Sequence, residues 1–351
     1  MLREVAGPPG PPYARSYRGR FDVLTIESEI LRDNPLRDPA TRPLYVYLPR
    51  GVDESSAQKY PSIYLIQGMT GQLDMWLNRA PFEPTVVERI DGLFSQGDVP
   101  PAIVVFVDAW TSYGGSQFIN STGTGRYMDY LCDEVTAFVD SRYPTIPDRE
   151  SRALTGKSSG GYGAMVVPML RPDVFGALAT HAGDALFEVC YMHDFRATAR
   201  TLRDKFDGSY ENFFKSFRTA DHIDWDVMDA PLNAYAMAAC YSPNNQDPTT
   251  IDLPFEIDSG RLIDDVWQRW LAWDPVRMVP DHLDALRSMR LIYIDAGRAD
   301  DYYLDLGAQA FSKELTKAGI EHTLELFEGT HAGIQFRYPK AVGALAYALE
   351  S

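Results

Sequence analysis

The sequence predicts an α/β protein, a mostly parallel sheet with helices on both faces and a helical insertion. Three observations lead there. Short apolar runs alternate with amphipathic helical stretches from about Phe21 onward. The run ending at Leu154-Thr155 passes through a glycine-framed turn directly into a helical pattern. Between about Asp184 and Met289, helical patterns follow one another with no convincing strand. Strands alternating with helices of this length imply βαβ units and a sheet covered on both sides.

Residues 1–20 are expected to form an extended N-terminal arm, because Ala6 to Tyr13 carries Gly-Pro-Pro twice. Two triplets are too few for a collagen helix and suit a polyproline segment. Strands are expected at 44–48, 62–66, 102–107, 152–155, 178–181, 290–294 and 322–327. Helical spacing recurs at Leu131, Val135, Phe138 and Val139, and again over 306–318 and 338–349. Within the insertion, helices are expected at 195–206, 210–217, 226–239 and 261–272, broken by a Pro/Asn-rich link over 242–254. The division that follows is a core of 21–183 and 290–351 with a helical cap over 184–289. Trp225, Trp267, Trp270 and Trp273 concentrate aromatic surface in that cap.

Composition narrows the partners. A 351-residue chain with 45% hydrophobic and 23% charged residues suits one large globular domain. Its formal net charge of −16 opposes binding to a phosphate backbone or an anionic membrane surface. Cys132, Cys190 and Cys240 are widely spaced and odd in number, which favours free thiols in a reducing compartment over a disulfide framework. The first twenty residues contain no apolar h-region, so a cytoplasmic location is expected. The sequon Asn120-Ser121-Thr122 is then not expected to be glycosylated. No nucleic-acid or membrane partner is expected, and a homo-oligomer remains open.

The chemistry centres on Gly156-Lys157-Ser158-Ser159-Gly160-Gly161-Tyr162-Gly163. Gly156-Lys157-Ser158 resembles the tail of a P-loop, but position 151 is serine where that motif needs glycine. No G-x-G-x-x-G register fits either. What fits is G-x-S-x-G between a strand and a helix, the nucleophile elbow that holds Ser158 exposed at the apex of a tight turn. A serine needs a base, and the base needs an acid to fix its tautomer. In α/β-hydrolases these follow in the order serine, acid, histidine, each after a later strand. The run 291–294 ends in Asp295-Ala296-Gly297-Arg298-Ala299-Asp300-Asp301, and the run 324–327 in Glu328-Gly329-Thr330-His331. His181, His193, His222 and His282 precede the acid, and His322 begins a strand, which leaves His331. Asp300 and Asp301 compete as the acid, with Asp300 preferred because it lies three residues after Gly297. Backbone N–H groups of Ser159 and of Met69, in the loop Gln67-Gly68-Met69-Thr70-Gly71, are the candidate oxyanion donors. No cofactor or metal is expected.

Taken together, these stretches resemble the esterase D-like family of α/β-hydrolases, a group that includes S-formylglutathione hydrolases, feruloyl and enterochelin esterases and mycolyltransferases. The resemblance rests on residues 60–68, the elbow 156–164, Arg171-Pro172-Asp173-Val174-Phe175-Gly176, 297–300, Gly329-Thr330-His331, and Arg126 with Tyr127 and Tyr130. It implies an α/β-hydrolase fold, a Ser158–Asp300–His331 triad, and Met69 and Ser159 as oxyanion donors. Three positions depart from the family pattern, which has histidine before the serine, methionine after it, and histidine before Gly68. Here they are Lys157, Ser159 and Gln67. The expected reaction is cleavage of a small-molecule carboxylic ester through an acyl-enzyme. Acyl transfer by the same triad and a non-catalytic ligand-binding role are the alternatives. A metal hydrolase built on His181, Asp184, His193 and Asp194 is a distant further reading.

Overall fold

The computed structural model describes residues 17–52, 57–244, 246 and 250–350. Most of the expected N-terminal arm, and part of the link at 242–254, lie outside the described residues. The described part of the chain turns into a strand at Arg20.

Ten strands occur in chain order. They are β1 (Arg20–Glu27), β2 (Thr41–Leu48), β3 (Ser62–Ile66), β4 (Ile103–Val107), β5 (Asn120–Ser121), β6 (Gly125–Arg126), β7 (Arg152–Ser158), β8 (Ala177–Gly183), β9 (Leu291–Gly297) and β10 (Thr323–Phe327). β5 and β6 pair only with each other. The other eight form one sheet in the order β1-β2-β4-β3-β7-β8-β9-β10. β2 is antiparallel to both neighbours, and every pairing from β4 to β10 is parallel. β3, β4 and β8 are buried along their whole length. That is why they read as unbroken apolar runs, as strands covered on both faces do. β1 is an exposed edge carrying Arg20 and Asp22, charges that discourage a further strand from adding there.

Successive residues of each strand feed opposite layers. Ala153, Ala177, Ala179 and Tyr293 pack with the helices Val86–Ser95 and Tyr338–Leu349. Leu178, Ile292 and Ile294 pack on the other face, with the helices Ser159–Leu170 and Leu304–Lys317. The helix Val86–Ser95 starts at a reciprocal cap between Thr85 and Glu88, which satisfies two of its free amides.

Residues 184–289 are mainly helical. The longer helices are Met192–Lys205, Tyr210–Thr219, Trp225–Tyr241 and Asp264–Leu271. Two kinds of packing divide this segment. Leu202, Phe206, Tyr210, Phe213, Phe214, Met228 and Leu232 form a cluster of their own, with Met69 and Tyr113 packed against it. Trp267, Trp270 and Leu271 instead join the core that contains Tyr162, Leu178 and Ile294. Asp274, wholly buried, accepts from the amides of Leu186 (3.1 Å), Phe187 (2.9 Å) and Val276 (3.0 Å) and ties the two ends of the segment together.

The sequence expectation lacks the edge strand β1, whose largely exposed residues form no apolar run, and the short pair β5 and β6, and it starts β2 at 44 where the strand begins at Thr41. The other differences lie mainly at the strands' C-terminal ends. β7, β8 and β9 continue to Ser158, Gly183 and Gly297, past the last apolar residue of each run. Glycine and polar residues there have weak strand preference, and lateral pairing such as Gly156↔Thr180 and His181↔Asp295 holds them.

Candidate active site

The turn from β7 into the helix Ser159–Leu170 is set by steric exclusion. A Cβ on Gly156 would lie 2.6 Å from Gly160, and one on Gly160 would lie 2.5 Å from the Ile66 carbonyl oxygen. Only glycine permits this approach. Between them Ser158 has φ +58° and ψ −126°, a conformation that costs an L-residue on the order of 1–3 kcal/mol and persists where the surroundings enforce it. Ser158 also sits at the helix N-terminus, where free N–H groups and the positive end of the helix dipole face developing negative charge.

Asp300 and His331 come from the loops after β9 and β10. Gly297 allows these loops to meet, since a Cβ there would be 2.5 Å from the Gly329 oxygen. Asp300 is buried, and its Oδ2 lies 2.8 Å from His331 Nδ1. Its Oδ1 accepts from the amides of Tyr302 (2.9 Å) and Leu304 (3.3 Å), which fixes the carboxylate plane. Asp301 is exposed and accepts only from the His331 backbone amide, at 3.2 Å. Of the two acids, therefore, Asp300 is the one that meets the imidazole. Tyr302 packs edge-on against that ring at 4.8 Å, a neighbour that sequence reasoning did not single out.

The loop carrying Met69 is braced from below. Gln67 is buried, and its Nε2 donates to the Gly71 carbonyl (2.9 Å) and to Asp108 Oδ1 (3.2 Å). Asp108 pairs in turn with Arg42, whose Nε lies 3.2 Å from its other oxygen, and both are buried. Burial pushes the Asp108 pKa up, and the Arg42 charge opposes that shift. The Thr70 amide donates to the Gly114 carbonyl (2.7 Å), while the Met69 N–H has no acceptor among the described residues.

Gly68, Met69, Ser158, Ser159 and His331 line one cavity of about 510 Å³. Residues 184–289 supply its opposite wall through Tyr191, Trp225, Asp226, Asp229 and Asn233. Of the four tryptophans in this segment, Trp225 lines the cavity and is exposed, Trp267 and Trp270 are buried in the core, and Trp273 packs part-buried against that core. Beneath the wall, Asp184 accepts from Gln117 (3.0 Å), Tyr191 (2.8 Å) and Ser159 Oγ (3.3 Å). Burial raises its pKa, and the three donors act against that shift. Sequence patterns gave no signal for this network, because its members are far apart in the chain and follow no motif.

The residues of the metal-hydrolase reading go to separate partners. His181 Nδ1 lies 2.7 Å from Asp295, Asp184 sits in the network above, and His193 lies 3.1 Å from Asp194. Among the described residues, no group of three or more His, Cys, Asp or Glu side chains is arranged to hold a metal ion. Nor is any helix among them long and apolar enough to cross a membrane. The three cysteines are free and buried.

A mostly parallel sheet with its loop-borne polar residues gathered at the strand C-termini defines the α/β-hydrolase class. Residues 39–338 match the model of the Esterase family ("Putative esterase"), and the chain belongs to that family. A stretch of 134 residues is 28% identical to an endo-1,4-beta-xylanase/feruloyl esterase of Xylanibacter ruminicola, covering 37% of this chain and 18% of that protein. The chain spans less than half the length of the curated relatives it matches. Among solved structures, a ferulic acid esterase superposes with TM-score 0.58 at 18% identity, covering 95% of this chain and all of that one. An S-formylglutathione hydrolase from Agrobacterium tumefaciens gives TM-score 0.58 at 16% identity, over 96% and 98% of the two chains. At these identities the structural likeness establishes the fold.

Proposed function

We propose that this protein is a serine esterase that cleaves a carboxylic ester through an acyl-enzyme. Ser158 attacks the ester carbonyl, and His331 takes its proton and later returns it to the leaving alcohol. Asp300 orients the imidazole and balances its charge. The N–H groups of Met69 and Ser159 receive the oxyanion. Water then attacks the acyl-Ser158 ester with His331 again as base, releasing the acid and restoring the serine. The observation that carries this reading is a strained serine at a helix N-terminus, lining the same cavity as a histidine whose far nitrogen is held by a buried aspartate.

Covalent labelling tests it. A fluorophosphonate is expected to modify the wild-type protein once, at Ser158, and Ser158→Ala is expected to lose both labelling and ester turnover, by roughly four to six powers of ten in rate. Labelling that survives in Ser158→Ala would remove the assignment, and a wild-type protein that is never labelled would favour a non-catalytic binding role.

A further inference from the structure

A row of ionisable side chains crosses the sheet beside the nucleophile. Lys157 on β7 is in register with His181 on β8, His181 with Asp295 on β9, and Asp295 with Glu325 on β10. Register partners on parallel strands project from the same face. For this row it is the face covered by the helix Tyr338–Leu349, whose Tyr338 packs edge-on against His181 at 5.0 Å.

All but one member of the row is paired. Asp295 meets His181 at 2.7 Å through one oxygen and Arg337 at 2.8 Å through the other. Glu325 meets Arg337 at 2.6 Å and Lys340 at 2.6 Å. The Lys157 ammonium makes no ion pair and donates no hydrogen bond among the described residues. The carboxylates that act on it through space are engaged by other groups. Asp300 holds His331, Asp184 receives three donors, and Asp301 accepts the His331 amide. Burial pulls the Lys157 pKa down, which marks the cost of keeping this ammonium without a partner. Among the described residues lining the cavity, Lys157 is the sole lysine or arginine, one position from Ser158.

We propose that Lys157 selects esters bearing a carboxylate on the acyl chain or on the alcohol, the ammonium pairing with that carboxylate inside the cavity. This rests on the serine-esterase reading above. Asp226 and Asp229 on the cap wall oppose an anion, and Asp229 is engaged by Tyr302 at 3.3 Å. The competing outcome is therefore preference for an ammonium-bearing ester held by these two carboxylates.

The test uses esters matched in shape. For the acyl side, monoethyl succinate is compared with ethyl 4-methylpentanoate. For the alcohol side, carboxymethyl butanoate is compared with isobutyl butanoate. Ethyl 4-aminobutanoate supplies the cationic arm, and kcat/KM is read by pH-stat. In the wild type the charged member of one anionic pair is expected to be favoured by about tenfold or more, and the pair that shows it says which side of the ester carries the group. Lys157→Met should abolish that ratio and Lys157→Arg should keep it, with fluorophosphonate labelling of each variant reporting a reactive Ser158. A wild-type enzyme that prefers neither anionic ester, or prefers the ammonium ester, overturns the proposal even if no variant folds. So does a ratio that survives Lys157→Met. Absence of labelling and of neutral-ester turnover in the wild type would instead sink the esterase reading itself.

Discussion

Asp300 and Asp301 are adjacent in sequence and chemically identical, yet only one of them reaches the imidazole. The Gly297 turn buries Asp300, where two backbone amides and His331 Nδ1 consume its oxygens, and leaves Asp301 at the surface. Asp300→Asn is expected to cut turnover by about four powers of ten, through a misoriented imidazole. Asp301→Asn should cost far less. Comparison of kcat for the two variants checks this, and the reverse order would transfer the role to Asp301. Ser159 offers a second residue-level contrast. Its proposed catalytic role is borne by the backbone N–H, while its Oγ reaches only Asp184 at 3.3 Å. Ser159→Ala should therefore lose far less activity than Ser158→Ala. The turn at Ser158 and the loop position of His331 after β10 were legible in the sequence because glycine spacing and strand order constrain them. Tyr302 and Gln117 were not, because nothing local distinguishes a tyrosine or glutamine that touches the site from one that does not.

Two elements are held in place by polar side-chain contacts, the first buried and the second part-exposed. The first is the loop after β3, braced by Gln67 against Gly71 and Asp108. Gln67→Leu would leave a buried carbonyl and a buried carboxylate each short of a donor, at a cost of about 1–3 kcal/mol in stability. If the Met69 N–H serves the oxyanion, the loosened loop should also lower kcat by about 10- to 100-fold. Steady-state kinetics alongside denaturant unfolding would separate the two effects, and an unchanged kcat in a folded variant would dissociate this loop from catalysis. The second element is β10, joined to the helix Tyr338–Leu349 through Glu325. Burial acts to raise the Glu325 pKa, but Lys340, Arg337 and Tyr293 outweigh it and hold the carboxyl at about 2. A carboxyl depressed in the folded state contributes stability fully above its unfolded value of ~4.3, and that contribution is lost as pH falls through the folded value. The Tm difference between wild type and Glu325→Gln should thus be present at neutral pH and shrink between ~4.3 and about 2. A difference constant with pH would show that Glu325 acts there through packing alone.

Across the whole molecule, residues 184–289 do two jobs. One part completes the core around Trp270, and the other lines the cavity and packs against Met69 and Tyr113 in the loops after β3 and β4. Tyr113 makes ring contacts with Phe214 at 5.4 Å and Tyr235 at 5.1 Å, which couples the cluster around Phe213 to the core. The exposed Trp225 stands at the cavity with Asp226. If this wall sorts substrates by shape, Trp225→Ala should change the ratio of kcat/KM between short and long acyl esters several-fold, because a pocket discriminates through the fit of its apolar surface. A parallel series with Trp267→Phe, a core position, should leave that ratio as it was. Equal shifts in both would mean that the cap acts through global stability.

Local sequence was enough for the alternation of strand and helix, the tight turn at Ser158, and the positions of Asp300 and His331 in loops after successive strands. Each of these depends on residues close together in the chain, where hydrophobic period and glycine geometry leave few options. Tertiary structure alone decided which aspartate turns inward and which tryptophan faces the cavity. It also decided how far β7, β8 and β9 run beyond their apolar cores, and that Lys157 ends a row of paired charges with no partner for its ammonium among the described residues. Those outcomes depend on strand register and on contacts between separate segments, such as His331 with Asp300, 31 residues apart, and His181 with Asp295, 114 apart, and single residues carry no record of either.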